Sequence, residues 1–421
     1  MPLCRIPSRL YRITQPSLVL VLVMAASQQT QSSEDTEPAR IKLGPWATDL
    51  KVGPSMCATG RHLKGCEFVA QDLRNAVFDG CDLDGVLFYQ CNLSGASFRD
   101  TRLCGMNITD CQIVKADFRG ALINGVVGMS GGLTSPPQSR WPHDMYLSEE
   151  QLTSTRSYKV RDLSRCVISQ YDRTSPHRPA YNLQSANLEA AYLAHGDFSR
   201  CDLSNARIDG ISIVCCELAF SQLASTSNFR SARALRGAHL ADVRISGRAD
   251  FSGIDLNGTV FSRVSADDFD FTDADITKCA FLSTIGKDQL HRTQNFKRGQ
   301  LWQMHFEGLD LSGCDLSNMD LTRTQFVGCD FTRASLAGTC LNGSQFRGCA
   351  FSYATLESAV ISHARFAEDR REYIFRQRFP DSTGLTVDQI KSTWNYRDNR
   401  MEGIVLPKEL TEQLGKKRGE N

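Results

Sequence analysis

Large apolar side chains recur at every fifth position between residues 63 and 123. A period of five matches neither an α-helix, which repeats every 3.6 residues, nor a flat β-strand, which repeats every two. The pattern therefore predicts a chain that turns a corner every five residues and points one large side chain inward from each side. The positions are Leu63, Phe68, Leu73, Phe78, Leu83, Phe88, Leu93, Phe98, Leu103, Ile108, Ile113, Phe118 and Ile123.

Small residues stand two positions before many of these large ones, as at Cys66, Ala76, Cys81 and Ala96. One large and one small inward residue on each of four sides would make a coil of twenty residues. Stacked coils would pair their backbones at the strand spacing of about 4.8 Å. Because each coil buries its interior only against its neighbours, the expected fold is an all-β solenoid.

The period returns in three further runs. The second contains Leu163, Ile168, Leu183, Leu188, Leu193, Phe198, Leu203, Ile208, Ile213, Leu218 and Leu223. A looser third run contains Leu240, Ile245, Phe251, Leu256, Phe261, Phe271, Ile276 and Phe281. The fourth contains Phe306, Leu311, Leu316, Leu321, Phe326, Phe331, Leu336, Leu341, Phe346, Phe351, Leu356, Ile361 and Phe366.

Stretches such as 186–190 (ANLEA) and 314–318 (CDLSN) resemble the A-(D/N)-L-x-x unit of the pentapeptide-repeat family. The resemblance implies a right-handed quadrilateral β-helix, and it implies no single activity. Some cytoplasmic members mimic DNA and bind type II topoisomerases. The near balance of 48 basic and 47 acidic residues argues against that role here, because such mimicry requires a strongly acidic surface.

Cysteine follows the same register, since eleven of the 16 cysteines occupy the small inward position. We expect them to be free, buried thiols that pack as small apolar groups. Cys91 with Cys111, and Cys329 with Cys349, lie twenty residues apart and should stack on adjacent coils, where parallel side chains disfavour a disulfide. The eleven are Cys66, Cys81, Cys91, Cys111, Cys166, Cys201, Cys216, Cys279, Cys314, Cys329 and Cys349.

A second repeat interrupts the first at 151–159, 222–230, 289–297 and 389–397. Each copy has Gln, then an aliphatic residue, Thr at +4, an aromatic residue at +7 and a basic residue at +8. Ser148 and Thr386 precede the first and last Gln at capping-box spacing. We interpret the element as a short helix and an aromatic residue that cap an open coil end; a ligand motif built on Thr, Tyr and Lys is the alternative.

Residues 1–26 are expected to be an export signal. Three arginines precede the apolar run 18–26 (LVLVLVMAA), which is too short to span a bilayer, and small residues follow it. The mature chain is therefore predicted to be secreted or periplasmic, without a membrane contact after cleavage.

The repeats divide the remaining chain. We expect a flexible linker at 27–60, β-helix at 61–127, a Gly/Pro linker with a cap motif at 128–160, and β-helix with insertions at 161–285. A cap motif and β-helix follow at 286–368. A C-terminal helix, a cap motif and a disordered tail follow at 369–421.

No catalytic, cofactor-binding or metal-binding motif is present among the sequence patterns. Seven aspartates are concentrated between 250 and 275, and they are either solvated corner residues or a binding strip for a basic partner or a cation. They are Asp250, Asp255, Asp267, Asp268, Asp270, Asp273 and Asp275. The function expected first is a non-enzymatic exported scaffold that binds an unknown protein and no nucleic acid. A DNA mimic or other enzyme inhibitor acting through the acidic strip is second, and an exported enzyme is third.

Overall fold

The computed structural model describes residues 39–45, 47–125, 147–169, 180–264, 269–282, 285–367 and 381–415. The expected export signal and the segments 126–146, 170–179 and 368–380 lie outside them. The described residues form the predicted four-sided β-helix, in which the large residue of each five points inward. The first run shows this register, because Leu63 through Ile123 are buried at every fifth position.

We number the four sides by the inward residues of one coil: Phe78 lies on the first side, Leu83 on the second, Phe88 on the third and Leu93 on the fourth. Most strands lie on the third side. They are β2 (Glu67–Val69), β3 (Leu87–Tyr89), β4 (Asn107–Thr109), β5 (Val167–Ser169), β6 (Tyr192–Asp197), β7 (Ser212–Ala219), β8 (His239–Ala241), β11 (Val260–Ser262), β13 (Ala280–Leu282), β14 (His305–Glu307), β15 (Gln325–Val327) and β16 (Gln345–Arg347).

Neighbouring strands of the third side pair in parallel, except β4 with β5, and the inward residues of paired strands stay in register. Phe306, Phe326 and Phe346 are directly paired, for example, and their rings stack at centroid distances of 5.6 and 5.3 Å. The other sides pair mainly through single bridges one coil apart, such as Asp82 with Arg102. The shorter strands are β1 (Arg40–Lys42), β9 (Arg244–Ser246), β10 (Ala249–Asp250) and β12 (Phe269–Asp270).

The runs form one continuous rod. The third-side sheet is interrupted between β4 and β5, where residues 126–146 intervene. The second side nevertheless continues across this point, because the Gly125 N–H donates to the Ser164 carbonyl at 3.1 Å. One hydrophobic core extends from Ala47 to Phe366.

One boundary differs from the expected one. The stretch 27–60 was expected to be a linker, yet β1 pairs antiparallel with β2, and Ala47, Met56 and Ala58 are buried in the core. The coil that contains the undescribed residues 170–179 has 25 residues instead of twenty, because Asp162 pairs with Asn187, and the phase of five is kept across it.

Four pairs of short helical elements interrupt the rod. They are α1 (Glu149–Ser154) with α2 (Arg156–Lys159), α3 (Phe220–Ser225) with a π-helical turn (Asn228–Ala232), α4 (Lys287–Arg292) with α5 (Gln294–Lys297), and α6 (Val387–Ser392) with α7 (Trp394–Arg397). A last helix, α8 (Lys408–Gly415), follows the fourth pair. These pairs coincide with the second sequence repeat, and we call each one a joint.

Candidate functional site

Four of the five described aspartates of the acidic strip lie in two columns along the rod. Asp250 pairs with Asp270 through β10 and β12 on the first side. Asp255 forms a bridge with Asp275 on the second side. The structure therefore brings these carboxylates together on neighbouring sides. Asp267 and Asp268 lie outside the described residues.

Each of these four carboxylates also accepts a hydrogen bond from the backbone two residues later. The Ser252 N–H donates to Asp250 and the Thr272 N–H to Asp270, both at 2.9 Å. Outside the strip, Asp315 accepts the Ser317 N–H at 3.0 Å in the same way. This turn is the local reason for Asp before the inward residue. Together with the Thr272 hydroxyl, it lowers the pKa of Asp270.

Basic residues from neighbouring coils partly neutralise the strip. Lys297 lies 2.8 Å from Asp273. Arg236 lies 2.6 Å from Asp255, and Arg248 lies 3.6 Å from Asp270. Such exposed ion pairs each contribute about 1 kcal/mol or less to stability. Their larger effect is on the surface potential, since three of the five described carboxylates have a cation beside them.

The four joints share one hydrogen-bonding scheme, and glutamine begins it. In the first joint, the Gln151 Nε2 donates to the carbonyls of Ile113 and Ala116 at 3.0 and 2.9 Å. Its Oε1 accepts the Ser148 N–H at 2.9 Å. Gln389 repeats these contacts in the fourth joint. The Gln side chain thus ties the start of a helix to a corner of the coil beside it.

The residue at +6 from the glutamine supplies a hydrogen-bond acceptor at the other end of the joint. Its side chain accepts a hydrogen bond from the backbone N–H of an inward isoleucine on the preceding coil. The acceptor is Ser157 for Ile123, Asn228 for Ile208, Asn295 for Ile276 and Asn395 for Ile361, with distances of 2.7–2.9 Å. A side-chain oxygen therefore replaces the carbonyl that the next coil would supply.

Threonine at +4 is buried in all four joints. In the first joint, the Thr155 hydroxyl donates to the Leu152 carbonyl at 2.7 Å and accepts the Tyr158 N–H at 3.1 Å. The Tyr158 hydroxyl accepts the Asn182 N–H at 3.1 Å. The Thr and Tyr hydroxyls that a ligand motif would use are therefore engaged with backbone groups.

The joints correct the interpretation of this element as a cap of an open end. The expected capping boxes are present, at Ser148 with Gln151 and at Thr386 with Gln389. The first three joints nevertheless lie inside the rod, with coils on both sides. Each replaces the first side of one coil, because the last residue of its helix accepts a corner N–H of the preceding coil, as Ser154 does from Gly120.

The cysteines of the described chain form no disulfide, and the eleven inward ones are buried. Cys91 and Cys111 stack as the register predicted, with the Cys91 N–H 3.3 Å from the Cys111 Sγ. Burial raises the pKa of the Cys216 thiol to about 12 and raises that of Cys279 further. Such thiols stay protonated near neutral pH and are poor nucleophiles.

Two histidines on the third side were not singled out by the sequence patterns. His239 and His305 occupy outward positions, yet burial lowers the pKa of each to about 4. Neither His239 Nδ1 nor His305 Nε2 has a hydrogen-bond partner among the described residues. The sequence signal that could have revealed their burial is the apolar character of the outward residues near them on the third side.

Comparison with known families agrees with this geometry. The family model "Pentapeptide repeat region" matches residues 60–127. The model "Pentapeptide repeats (8 copies)" matches residues 182–213, 247–281, 303–336 and 329–367. A search of curated proteins found no relative.

Three solved structures illustrate the likeness. QnrB1, described as a plasmid-mediated fluoroquinolone resistance protein, is 17% identical, with 54% of this chain and 97% of that chain covered and a TM-score of 0.28. HetL from Nostoc sp. strain PCC 7120 is 16% identical, with 74% and 87% covered and a TM-score of 0.15. Rfr23 from Cyanothece 51142 is 14% identical, with 43% and 95% covered and a TM-score of 0.18. These scores are too low to carry an argument about function. The family models and the coil register assign the chain to the pentapeptide-repeat family.

Proposed function

We propose that this chain is an exported, non-enzymatic scaffold that binds a protein partner along the outer sides of its β-helix. The continuity of the rod is the observation that carries the proposal. One core joins all runs, and the joints preserve the stacking instead of ending it. Solenoids of this kind present extended, regular surfaces to their partners.

The use of the reactive side chains supports a non-enzymatic role. The inward thiols are buried, four of the strip aspartates accept backbone hydrogen bonds, and the joint hydroxyls are engaged with the backbone. Within the described part of the chain, no three His, Cys, Asp or Glu side chains are placed to hold a metal ion. An enzymatic function would require a site with free reactive groups, whereas these thiols, carboxylates and hydroxyls have structural roles.

Export is proposed from the sequence of residues 1–26 alone, with its basic start and short apolar run. Among the described helices, none has the length and apolar character needed to cross a membrane.

An inhibitor that binds a basic enzyme surface through the acidic strip is the second candidate. Its support is the alignment of Asp250 with Asp270 and of Asp255 with Asp275 in two columns. Arg236, Arg248 and Lys297 reduce the negative potential of those columns, so the scaffold is favoured.

Affinity capture with residues 27–421 as bait would test both candidates in the native extracytoplasmic fraction. A second bait would carry Asn at the seven strip aspartates. A third, matched bait would carry Asn at Asp310, Asp315 and Asp330, which accept the same backbone hydrogen bond outside the strip. Capture would be repeated with the purified partner to measure affinity.

If the chain is a scaffold, all three baits should retain the partner with similar affinity. A partner lost with the strip variant and retained with the matched variant would replace the scaffold with the inhibitor. An enzymatic activity of the chain that is lost when Tyr158 and Tyr396 are replaced by Phe would contradict both candidates, because it would show that these tyrosines are catalytic.

A further inference from the structure

The acceptor sequence for N-linked glycans, Asn-x-Ser/Thr, occurs four times in the chain. The four asparagines are Asn92, Asn107, Asn257 and Asn342, and all of them lie on the described part of the β-helix. A folded, exported chain can carry a glycan only where the Asn amide and the hydroxyl two residues later face the solvent. A repeat with Asn before Leu also generates this sequence without any glycan, so the structure of each copy has to be compared.

The register excludes two of the four copies. Asn257 and Asn342 directly follow an inward residue, so the hydroxyl residue two positions later falls at the small inward position. Thr259 and Ser344 are accordingly 0% exposed, and each donates its hydroxyl to a backbone carbonyl of the preceding coil. A coil that has folded therefore holds these two hydroxyls inside.

Asn92 has a structural use on the fourth side. Its Oδ1 accepts the Ser94 N–H at 3.1 Å, which is the turn that the strip aspartates also make. It forms bridges with Asp72 on one neighbouring coil and with Gln112 on the other, so outward side chains flank it on both sides at about the strand spacing of 4.8 Å. The repeat itself thus explains Asn92.

Asn107 has no comparable use. It begins β4, and β4 is the one strand among the described third-side strands that begins with Asn or Asp. The third side therefore does not require this residue type before its inward residue. The Thr109 hydroxyl donates to the Asn107 Oδ1 at 2.6 Å, and both are half-buried outward residues of the strand. The Asn107 Nδ2 has no hydrogen-bond partner in the described part of the chain and is open to solvent.

The position of β4 leaves the backbone pairing independent of this side chain. The Asn107 N–H donates to the Val86 carbonyl at 2.8 Å, and Asn107 lies opposite Leu87 of β3. β4 is also the last strand of its four-stranded sheet, so Asn107 has one outward neighbour within that sheet and not two. A substituent on Nδ2 would therefore break no described hydrogen bond.

We propose that Asn107 is the acceptor of an N-linked glycan during export, with a lipid-linked oligosaccharide diphosphate as the donor. The Asn107 Nδ2 forms a bond to the anomeric carbon of the first sugar, and the bond from that carbon to the diphosphate oxygen breaks. The lipid diphosphate leaves with the electron pair, and Nδ2 loses one proton. This inference rests on the proposed export, and it assigns a modification to the scaffold that the scaffold role does not require.

Occupancy at the four asparagines would test the proposal in the full chain. The precursor, residues 1–421, would be produced in insect cells, and the secreted chain would be treated with a peptide N-glycosidase, which removes the glycan and converts its Asn to Asp. Peptide mass spectrometry would then measure the converted fraction at each position. A second precursor would carry an established secretion signal in front of residues 27–421. Secretion of the second precursor alone would contradict the proposed export, and the acceptor test would proceed on that chain.

The expected result is a glycan at Asn107 in the majority of secreted molecules, with Asn92, Asn257 and Asn342 largely unmodified. An unmodified Asn107 in the folded, secreted chain would overturn the proposal. A glycan carried mainly by one of the other three asparagines would also overturn it.

Variants of the hydroxyl residue give an independent readout. Thr109→Ala should abolish the glycan although Asn107 is still present, and Thr109→Ser should retain part of it. The matched control is Ser94→Ala, which removes the hydroxyl of the Asn92 copy and should leave the glycan in place. Circular dichroism would show that each variant keeps its β-helix. Equal glycan occupancy at Asn107 in the Thr109→Ala variant and the native chain would refute the assignment.

Discussion

The asparagine of the third joint offers a sharp test of how the joints preserve the rod. Asn295 is buried, its Oδ1 accepts the Ile276 N–H at 2.7 Å, and its Nδ2 donates to the Thr277 hydroxyl at 2.9 Å. Asn295→Ala removes both bonds and leaves a buried N–H without this acceptor. An orphaned buried N–H costs about 1–3 kcal/mol, and the second bond contributes about 0.5–1.5 kcal/mol. We expect a loss of about 2–4 kcal/mol in local stability.

Hydrogen exchange at the Ile276 amide is the appropriate assay, because a solenoid unfolds in parts and a single global unfolding free energy is poorly defined. A loss of about 2 kcal/mol corresponds to about thirtyfold faster exchange. Arg298→Ala is the matched control, since Arg298 is an exposed residue of the same joint. In the Arg298→Ala variant, the Ile276 amide should exchange within threefold of the native rate.

The variant Asn295→Ser tests whether the protection of the Ile276 amide depends on the acceptor oxygen or on the size of the side chain. The first joint already uses serine, whose hydroxyl accepts the Ile123 N–H at 2.9 Å. Serine at 295 should therefore recover at least half of the lost protection. Native protection in the alanine variant, or a serine variant no better than alanine, would refute the idea that this side chain substitutes for a missing coil.

Three further outcomes follow from the packing and the charges. Phe326→Asp should cost about 3–5 kcal/mol from lost packing alone, plus the burial of an unpaired charge; an unchanged melting temperature would mean that the inward register is wrong. His239 and His305 are neutral in the folded protein, with pKa values of about 4, whereas unfolded histidine takes up a proton below about pH 6.5. Stability should therefore rise with pH between about 4 and 6.5, and acidification from pH 7 to 5 should cost about 2 kcal/mol for His239, measured as faster exchange of β8. His239→Gln should flatten this dependence, and a slope that persists unchanged would assign it to other groups. Tyr158→Phe should shift the melting temperature by only a few degrees while partner binding is retained, because it removes one exposed hydrogen bond and keeps the ring.

The sequence predicted the inward register well because a period of five has few structural solutions. Leu63 through Ile123 needed no information from distant residues, since each coil repeats the one before it. The same register could have shown that Asp255 and Asp275 are neighbours, since twenty positions separate them. The cation beside Asp255 could have been found in this way too, because Arg236 lies nineteen positions away, close to one coil.

The joints were only half predictable. The spacing of Ser148 and Gln151 indicated the start of a helix from neighbouring residues alone. The partners of Gln151 and Ser157, in contrast, are backbone groups of residues 113–123, more than thirty positions away. Backbone groups leave no signature in the sequence, so the pattern could not show whether the helix closed the rod or continued it.

The placement of the joints bears on where a partner can bind. All four replace the first side, because Ser154, Ser225, Arg292 and Ser392 each accept a corner N–H of that side from the preceding coil. The first side is therefore broken by helices at intervals. The second side keeps bridges from Asp162 to Arg207 and from Gln300 to Val360. A partner that follows the rod over many coils would meet no joint on the second side, so substitutions of the outward residues of that side should weaken such a partner more than substitutions on the first side.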